Sequence, residues 1–324
     1  MPAVPIGTRG AVITGWGTAL PERIITNHDL EQTMDTSHEW IVDRTGISER
    51  HVGGTTVGLS VESGRRALEM SGVDPAEIDV LILATTTPDR MVPASSATVQ
   101  NALGLSCGAF DVNAACSGWV YGLVAAHGFI ATGAGKILLI GTDTLARITD
   151  WTDRNTAILF ADGSGAAVIE AVDGPGQLLG WDLDADGSAE DALYCEHGGL
   201  LQMEGKEVFR RAVRIMVDSA TKSMAHAGVT ADDIALVIPH QANIRIISAS
   251  CDRLGIGLDR ASIVLDHTGN TSAASVPLAL ASALDAGRVT DGDLVLFVGF
   301  GAGMTSASAV VRWNQTAHER SATR

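Results

Sequence analysis

Gly72-Val-Asp-Pro-Ala-Glu-Ile-Asp-Val-Leu-Ile-Leu-Ala-Thr-Thr-Thr87 and Gly228-Val-Thr-Ala-Asp-Asp-Ile-Ala-Leu-Val-Ile-Pro-His-Gln-Ala-Asn243 are two versions of one pattern. Each is an acidic turn opening into a short apolar strand. Each follows a helix-like segment, residues 57–71 in the first case and 206–227 in the second. They lie 156 residues apart (228 minus 72). A second pair, Gly135-Lys-Ile-Leu-Leu-Ile-Gly141 and Gly292-Asp-Leu-Val-Leu-Phe-Val-Gly299, repeats at 157 (292 minus 135). A single match between generic αβ units can arise by chance; two at nearly the same offset indicate duplication. The chain is therefore read as two related halves, residues 1–172 and 173–324.

The expected strands at 80–84, 137–141, 235–238, 262–265 and 294–298 are continuous runs rich in Val, Ile and Leu. Such runs suit strands buried on both faces by helices. Their alternation with helical segments predicts an α/β layered architecture. In folds of this kind functional groups gather beyond the carboxyl ends of strands, so the residues that follow each strand carry the argument about chemistry.

Composition narrows that chemistry. The 324 residues are 46% hydrophobic and 19% charged, with 36 Gly and 9 Pro, which fits many tight strand-to-helix turns. The formal charge of −16 argues against nucleic acid as a partner, because phosphate binding needs a broad basic surface. No apolar run reaches the roughly 18 residues of a membrane span, so no membrane association is expected. Residues 1–9 lack a basic segment followed by an apolar one, so no secretory signal is expected. The cysteines at 107, 116, 195 and 251 form no CxxC pair and no Cys/His metal spacing. Reduced thiols and a cytoplasmic location follow, with no metal. The polar tail from Asn314 to Arg324 is expected to fray.

Three groups follow strands. Cys116, in Asn113-Ala-Ala-Cys-Ser-Gly118, sits between a strand at 109–112 and a small-residue helix from about 117 to 132. A sulfur at such a corner faces a helix N-terminus, whose partial positive charge favours thiolate. On local sequence alone an inert buried thiol is an equally good account. His240 follows the strand at 235–238, and Asn270, in His267-Thr-Gly-Asn-Thr-Ser-Ala-Ala-Ser275, follows the strand expected at 262–265. Adding 156 to Cys116 gives Ser272, inside the Asn270 segment, so duplication would set the two segments face to face. A thiolate accepts an acyl group from a thioester, and an imidazole and a carboxamide donate hydrogen bonds to an enolate oxygen. Gly299-Phe-Gly-Ala-Gly-Met304 is a fourth element, whose small residues permit close backbone approach and, with the Cys116 N–H, an oxyanion hole. It is no nucleotide loop: neither G-x-G-x-x-G after a strand nor G-x-x-x-x-G-K-[ST] occurs. The other eight histidines, His28, His38, His51, His127, His197, His226, His267 and His318, default to loop or core roles.

These segments resemble the condensing enzymes of the thiolase fold, most closely the β-ketoacyl-acyl-carrier-protein synthase III family. The resemblance spans essentially the whole chain. It includes Asp35-Thr-Ser-His-Glu-Trp40-Ile-Val-Asp-Arg44-Thr-Gly-Ile47, Thr152-Asp-Arg154-Asn-Thr156 and Phe160-Ala-Asp-Gly163-Ser-Gly-Ala166. The pairing of His240-Gln-Ala-Asn243 with Gly269-Asn270-Thr-Ser-Ala-Ala-Ser275 marks the initiating type, since elongating relatives use two histidines. The resemblance implies duplicated βαβαβ halves in five layers, α-β-α-β-α. It implies an acyl-Cys116 intermediate formed from acyl-coenzyme A, with malonyl-carrier protein as second substrate and no cofactor. His240 and Asn270 would stabilise the enolate, and the backbone amides of Cys116 and Ala302 would hold the oxyanion. Trp40 and Arg154 would sandwich adenine, Thr36 and Arg44 would make further coenzyme A contacts, and Asn243 would touch pantetheine. Arg210, Arg211, Arg214 and Arg245, with Arg253 further along, would dock the acidic carrier on a locally basic patch, overriding the net negative charge. A homodimer is implied, in which Val92 caps the partner's acyl pocket.

Three departures from the family pattern stand out. Ala302 replaces the middle of a triple glycine. Thr268 stands where an aromatic or His is common. Val92 stands where acetyl-specific members often carry Phe, which predicts a deeper pocket for longer or branched acyl groups. A polyketide starter-unit condensing enzyme or an acyltransferase of the same fold is the alternative. An inactive partner subunit is disfavoured by Cys116, and a biosynthetic thiolase by the lack of a cysteine in Gly301-Ala302-Gly303.

Overall fold

The computed structural model describes residues 9–314. The tail expected to fray, apart from Asn314 itself, lies outside the described residues, and so does His318.

Two mixed sheets form the frame. The first contains β1 (Arg9–Ala19), β2 (Val80–Ala84), β3 (Gly108–Val112), β4 (Lys136–Thr144) and β5 (Asp162–Asp173), in the order β1-β5-β4-β2-β3. Strands β3, β2 and β4 run parallel, while β5 pairs antiparallel with β4 and β1. The second sheet contains β6 (Leu178–Asp184), β7 (Ile234–Pro239), β8 (Leu294–Gly301) and β9 (Thr305–Arg312), in the order β7-β8-β9-β6. Here β7 and β8 are parallel and the other pairings antiparallel.

Helix composition tells which layer each helix occupies. The helices used below are α1 (His38–Thr45), α2 (Thr56–Ser71), α3 (Gly118–Ala131), α4 (Gly205–Ala227), α5 (Ile244–Leu254) and α6 (Ser275–Asp285). Helices α3 and α6 carry no Asp, Glu, Lys or Arg apart from Asp285, at the very end of α6. A helix apolar all round must be buried on all sides, and both pack against strands of the two sheets. Trp119 of α3, fully buried, meets Phe297 of β8 with ring centroids 5.6 Å apart. By contrast α4 is amphipathic: Val208, Ala212, Val213, Met216, Ala220 and Met224 are buried against the second sheet and its polar face is exposed. Helix α2 covers the outer face of the first sheet in the same way. The result is the five-layered α-β-α-β-α arrangement.

Both outer helices sit unusually close to their sheets. A Cβ on Gly17 of β1 would lie 2.3 Å from the Ser63 carbonyl oxygen, and one on Gly180 of β6 would lie 2.3 Å from that of Ser223. Glycine is the residue that permits this approach.

Four of the five apolar runs are strands. The fifth, 262–265, is not. Ala261 makes a single parallel bridge to Val237, the Ser262 N–H donates to the Val237 carbonyl (2.9 Å), and a short helix, Leu265–Thr268, follows. The physical reason is the buried side chain of Gln241. Its Nε2 donates to the carbonyls of Pro239 (2.7 Å) and Ser262 (3.0 Å), and its Oε1 accepts from the N–H groups of Val264 (3.0 Å) and Leu265 (3.3 Å). One carboxamide thus replaces the ladder that a neighbouring strand would supply. Asn270 therefore follows a helical turn rather than a strand.

Candidate active site

Three turns at the carboxyl ends of strands converge between the halves. Each holds a non-glycine residue at positive φ: Ala115 (48°), Ser272 (52°) and Met304 (43°). These are the three such residues among the described ones. Left-handed backbone outside glycine costs about 1–3 kcal/mol per residue and gathers where geometry serves function. The Ala115 turn is clamped by the Ala115 N–H to Asn113 Oδ1 (3.3 Å), and the Thr305 hydroxyl donates to the Ala114 carbonyl (3.0 Å). Cys116 comes next, 8% exposed, at the entry to α3. A Cβ on Gly301 would lie 2.6 Å from the Cys116 nitrogen, so only glycine lets this part of the Gly-rich loop reach the Cys116 backbone.

His240 follows β7, 1% exposed, with its N–H donating to the Val298 carbonyl (2.8 Å). Its Nδ1 lies 2.7 Å from Ser275 Oγ, which also accepts from the Gln241 N–H (3.3 Å). The Phe300 ring packs edge-on to the imidazole at 5.4 Å. Asn270 is 5% exposed, and its backbone bonds to Leu159 and Ala161 in the first half. Its Oδ1 accepts from the Ser272 N–H (3.0 Å), which leaves the Nδ2 donors free to face the cavity.

Cys116, His240, Asn270 and Gly301 all line one cleft of about 1040 Å³, whose walls include Trp40, Arg44, Arg154, Asn243 and Arg245. A second cavity, of about 250 Å³, also touches Cys116 and shares Phe160 and Leu193 with the first; Thr86, Leu145, Ile148, Leu201 and Ala302 complete much of its wall. Cys116 thus stands where a polar-mouthed cleft meets a small, mostly apolar chamber.

Burial sets the protonation states. It pushes the Cys116 thiol up to about 12, outweighing the Ser272 hydrogen bond that pulls it down; Asp143 adds a smaller push upward. Burial thus works against the thiolate that the helix terminus favours. Burial also lowers His240 to about 3, so the imidazole is neutral.

The remaining expected site residues fall into place unevenly. The Arg44 and Arg154 guanidiniums each lie 4.5 Å from the Trp40 ring centre, and Arg154 also donates to the Asp35 carbonyl (2.6 Å). Thr36 lies outside the cleft lining, with a buried hydroxyl that has no partner among the described residues. Asn243 caps α5 through the Arg245 N–H (2.8 Å) and donates to the Arg44 carbonyl (2.9 Å), so much of its polar capacity is structural. The basic patch is half neutralised. Arg210 (2.7 Å) and Arg211 (2.5 Å) both pair with Glu207, Arg211 also with Asp186 (3.2 Å), and Arg245 with Asp43 (3.8 Å). The two arginine hydrogen bonds pull Glu207 down to about 2. Arg214 and Arg253 are exposed. Val92 is 82% exposed and lines neither cavity of its own chain.

Sequence reasoning passed over Ser275, Gln241 and Asp143, all buried and all bonded to site turns. It also missed Lys206 and Phe209 in the cleft wall. Ser275 and Gln241 lay inside motifs already singled out; no signal marked Asp143. Among the described residues no group of three or more His, Cys, Asp or Glu is placed to hold a metal. Among the described residues no helix is long and apolar enough to cross a membrane.

Layering and convergent turns define a condensing enzyme of the thiolase fold. Residues 110–187 match the family described as 3-oxoacyl-[acyl-carrier-protein] synthase III, and residues 224–313 match its C-terminal counterpart. A protein of Roseiflexus castenholzii named beta-ketoacyl-[acyl-carrier-protein] synthase III is 48% identical, over 94% of this chain and 98% of that one. The crystal structure of 3-oxoacyl-[acyl-carrier-protein] synthase III from Aquifex aeolicus superposes with a TM-score of 0.92 at 40% identity, over 94% of this chain and 100% of that chain. The priming β-ketosynthase of the R1128 polyketide pathway matches with a TM-score of 0.90 at 35% identity, covering 95% and 97% respectively. The chain belongs to the 3-oxoacyl-[acyl-carrier-protein] synthase III family.

Proposed function

We propose that this chain condenses an acyl primer from acyl-coenzyme A with malonyl-carrier protein, initiating fatty acid synthesis. The observation that carries the proposal is the meeting of Cys116, His240 and Asn270 in one cleft, with the carboxamide donors of Asn270 left free by the Ser272 N–H.

In the first step Cys116 Sγ attacks the thioester carbonyl. The carbon–sulfur bond to coenzyme A breaks, and the proton lost from the thiol leaves with it as the free thiol. In the second, the malonyl carbon–carboxylate bond breaks, carbon dioxide departs, and its electron pair forms an enolate. Because Ser275 Oγ already accepts from the Gln241 N–H, its O–H is free to donate to His240 Nδ1, which places the imidazole proton on Nε2. That N–H and Asn270 Nδ2 then donate to the enolate oxygen. The enolate carbon attacks the acyl carbonyl, whose oxyanion takes the N–H groups of Cys116 and Ala302. Collapse expels the Cys116 thiolate, which takes up one proton from solvent to replace the one lost with coenzyme A. The 250 Å³ chamber supports a short acyl group as primer.

Trp40, Arg44, Arg154 and Thr36 would serve coenzyme A, Asn243 the pantetheine, and Arg210, Arg211, Arg214 and Arg245 the carrier, with Lys206 added. The exposed Val92 supports a homodimer in which it caps the partner's chamber. The halves 1–172 and 173–324 are proposed as duplicated units, the first bringing the cysteine and the second the His and Asn. A cytoplasmic location and the absence of any cofactor complete the reading. Likeness to the priming polyketide enzyme favours one second reading, a starter-unit condensing enzyme with the same chemistry and a different primer.

The test is carbon dioxide release from malonyl-carrier protein beside product detection with acetyl-, isobutyryl- and octanoyl-coenzyme A. Release coupled to β-ketoacyl product supports condensation, and primer preference separates the pathways. Acylation of Cys116 with no carbon dioxide release would instead make the chain an acyltransferase.

A further inference from the structure

One fully buried carboxylate has no part in the reaction as proposed. Asp143, near the end of β4, is 0% exposed, and among the described residues no cation pairs with it. Hydrogen bonds meet its charge instead. Oδ1 accepts from the hydroxyls of Thr85 (3.2 Å), Thr86 (2.9 Å) and Thr87 (2.9 Å) and from the Thr86 N–H (2.7 Å). Oδ2 accepts from the Ala273 N–H (3.1 Å). A buried charge is tolerated only when satisfied in this way.

The two oxygens reach different parts of the site. Thr86 lines the 250 Å³ chamber, and Thr87 begins the loop that leads to Val92. Ala273 is bonded in sequence to Ser272, whose N–H aims Asn270. Internal repetition sharpens the point. Subtracting 157 from 273 gives Cys116, and adding 157 to 143 gives Phe300, the neighbour of Gly301, which abuts the Cys116 nitrogen. Thus the Asp143 carboxylate meets the Ala273 N–H in one half where the reacting oxyanion would meet the Cys116 N–H in the other. The protein sets a built-in carboxylate at the Ala273 turn and leaves room for a transient anion at the Cys116 turn.

We infer that Asp143 is a positioning residue that divides its oxygens between the half-reactions, Oδ1 holding the acyl chamber wall and Oδ2 holding the turn that aims Asn270 at the enolate. This rests on the condensation proposed above.

Asp143→Asn keeps the size but must set an NH₂ against a donor. The oxygen serves four donors on the threonine side, so the amide nitrogen falls opposite the Ala273 N–H. Two rates are measured on the full chain: acylation of Cys116 by acetyl- and isobutyryl-coenzyme A, by intact mass, and carbon dioxide release from malonyl-carrier protein by pre-acylated enzyme. Asp143→Asn is expected to slow release about 10-fold or more while acylation stays within about 3-fold. Thr86→Val, which removes one donor from Oδ1 alone, is expected to do the reverse, raising KM for isobutyryl-coenzyme A about 3-fold or more with release within about 2-fold. Equal losses in both half-reactions, or no change in either, overturn the inference. If Asp143→Asn does not fold, the Thr86→Val split still decides. A wild-type chain that acylates but releases no carbon dioxide refutes condensation itself, which is a separate result.

Discussion

The turn before α3 and the turn before α6 are the same device used twice. Each follows the third apolar segment of its half, each begins with a non-glycine residue at positive φ, and each leads into a helix of the central layer. Ala115 and Ser272 correspond at 157, as do Gly118 and Ser275, the helix starts (272 minus 115; 275 minus 118). An offset of 156 would pair Cys116 with Ser272; backbone geometry pairs it with Ala273 instead. The difference between the turns is therefore one side chain and its anion. In the first half the helix terminus faces a thiol and an open cleft; in the second it faces a fixed carboxylate. On the proposed duplication the two turns are equivalent frames, of which the Cys116 turn opens to the cleft and the Ala273 turn is closed by Asp143.

That comparison breaks most sharply on the nucleophile. Cys116→Ala should reduce condensation by at least ~10³-fold, since it removes the thiol on which the proposed covalent intermediate forms. Ala273 already carries the same methyl at the matching place, so the substitution makes the two turns alike without straining the backbone. Ser272→Ala, which removes only a hydroxyl bonded to the thiol, should cost about 10-fold or less. If both variants lost activity equally, the turns would be equivalent in function and the distinction drawn here would fail.

The second difference lies in the third strand. β3 is a full five-residue strand parallel to β2, with five residue pairs in register. Its counterpart shrinks to the Ala261–Val237 bridge, and the Gln241 side chain takes over. Gln241→Leu should remove that surrogate ladder and cost about 3 kcal/mol, because four backbone groups lose their partner. Thermal unfolding would show it. A loss below about 0.5 kcal/mol would mean that water replaces the carboxamide and that the strand is dispensable.

How much of this was legible follows from what each residue contributes alone. The apolar runs at 80–84, 137–141, 235–238 and 294–298 are strands because burial on both faces demands such runs. By the same logic 262–265 should be a strand, and it fails because a side chain twenty-odd residues away captures its polar groups. Strands β1, β5, β6 and β9 escaped notice, being rich in Gly, Ala, Ser and Asp; their identity comes from partners, not from hydropathy. Cys116, His240 and Asn270 announced themselves by position after strands and by motif. Asp143 did not, since an aspartate at a strand end looks like any turn residue until the three threonines are seen around it.

A third contrast is smaller and repeats in both halves. Ser63 of α2 meets Ser164 of β5 (2.6 Å), and Ser219 of α4 meets Ser308 of β9 (2.9 Å), each pair buried between an outer helix and its sheet. Ser63 and Ser219 differ by 156 (219 minus 63). In the first half the pair extends through Thr142 (2.5 Å) to Ser60 (2.8 Å), whereas in the second it closes on the Ser219 carbonyl (2.7 Å). Connected buried hydroxyls depend on one another. Ser63→Ala should cost about 2 kcal/mol and Ser219→Ala about 1 kcal/mol, measured by denaturant unfolding. The reverse ranking would show that the longer chain carries no cooperative gain.

The weakest expected contrast concerns pH. Each half holds a neutral imidazole in its interior: His240 is lowered to about 3, and His127 of α3, whose Nε2 is buried without a partner although part of the ring is exposed, to about 4. Desolvation is the cause in both. With native values below the 6.5 of an unfolded chain, the unfolded state binds more protons as pH falls from 6.5 toward 4. These groups therefore stabilise the fold above pH 6.5 and lose that contribution on acidification. Asp162 acts in the opposite sense, because burial raises it to about 6, so the native state takes its proton first and gains on acidification between 6 and 3.8. Two imidazoles against one carboxyl predict a Tm that declines from pH 7 to pH 5. His127→Phe loses no hydrogen bond and should flatten that decline while leaving condensation unchanged, whereas Asp162→Asn should steepen it. A decline insensitive to His127→Phe would place the whole effect in the second half, on His240 alone.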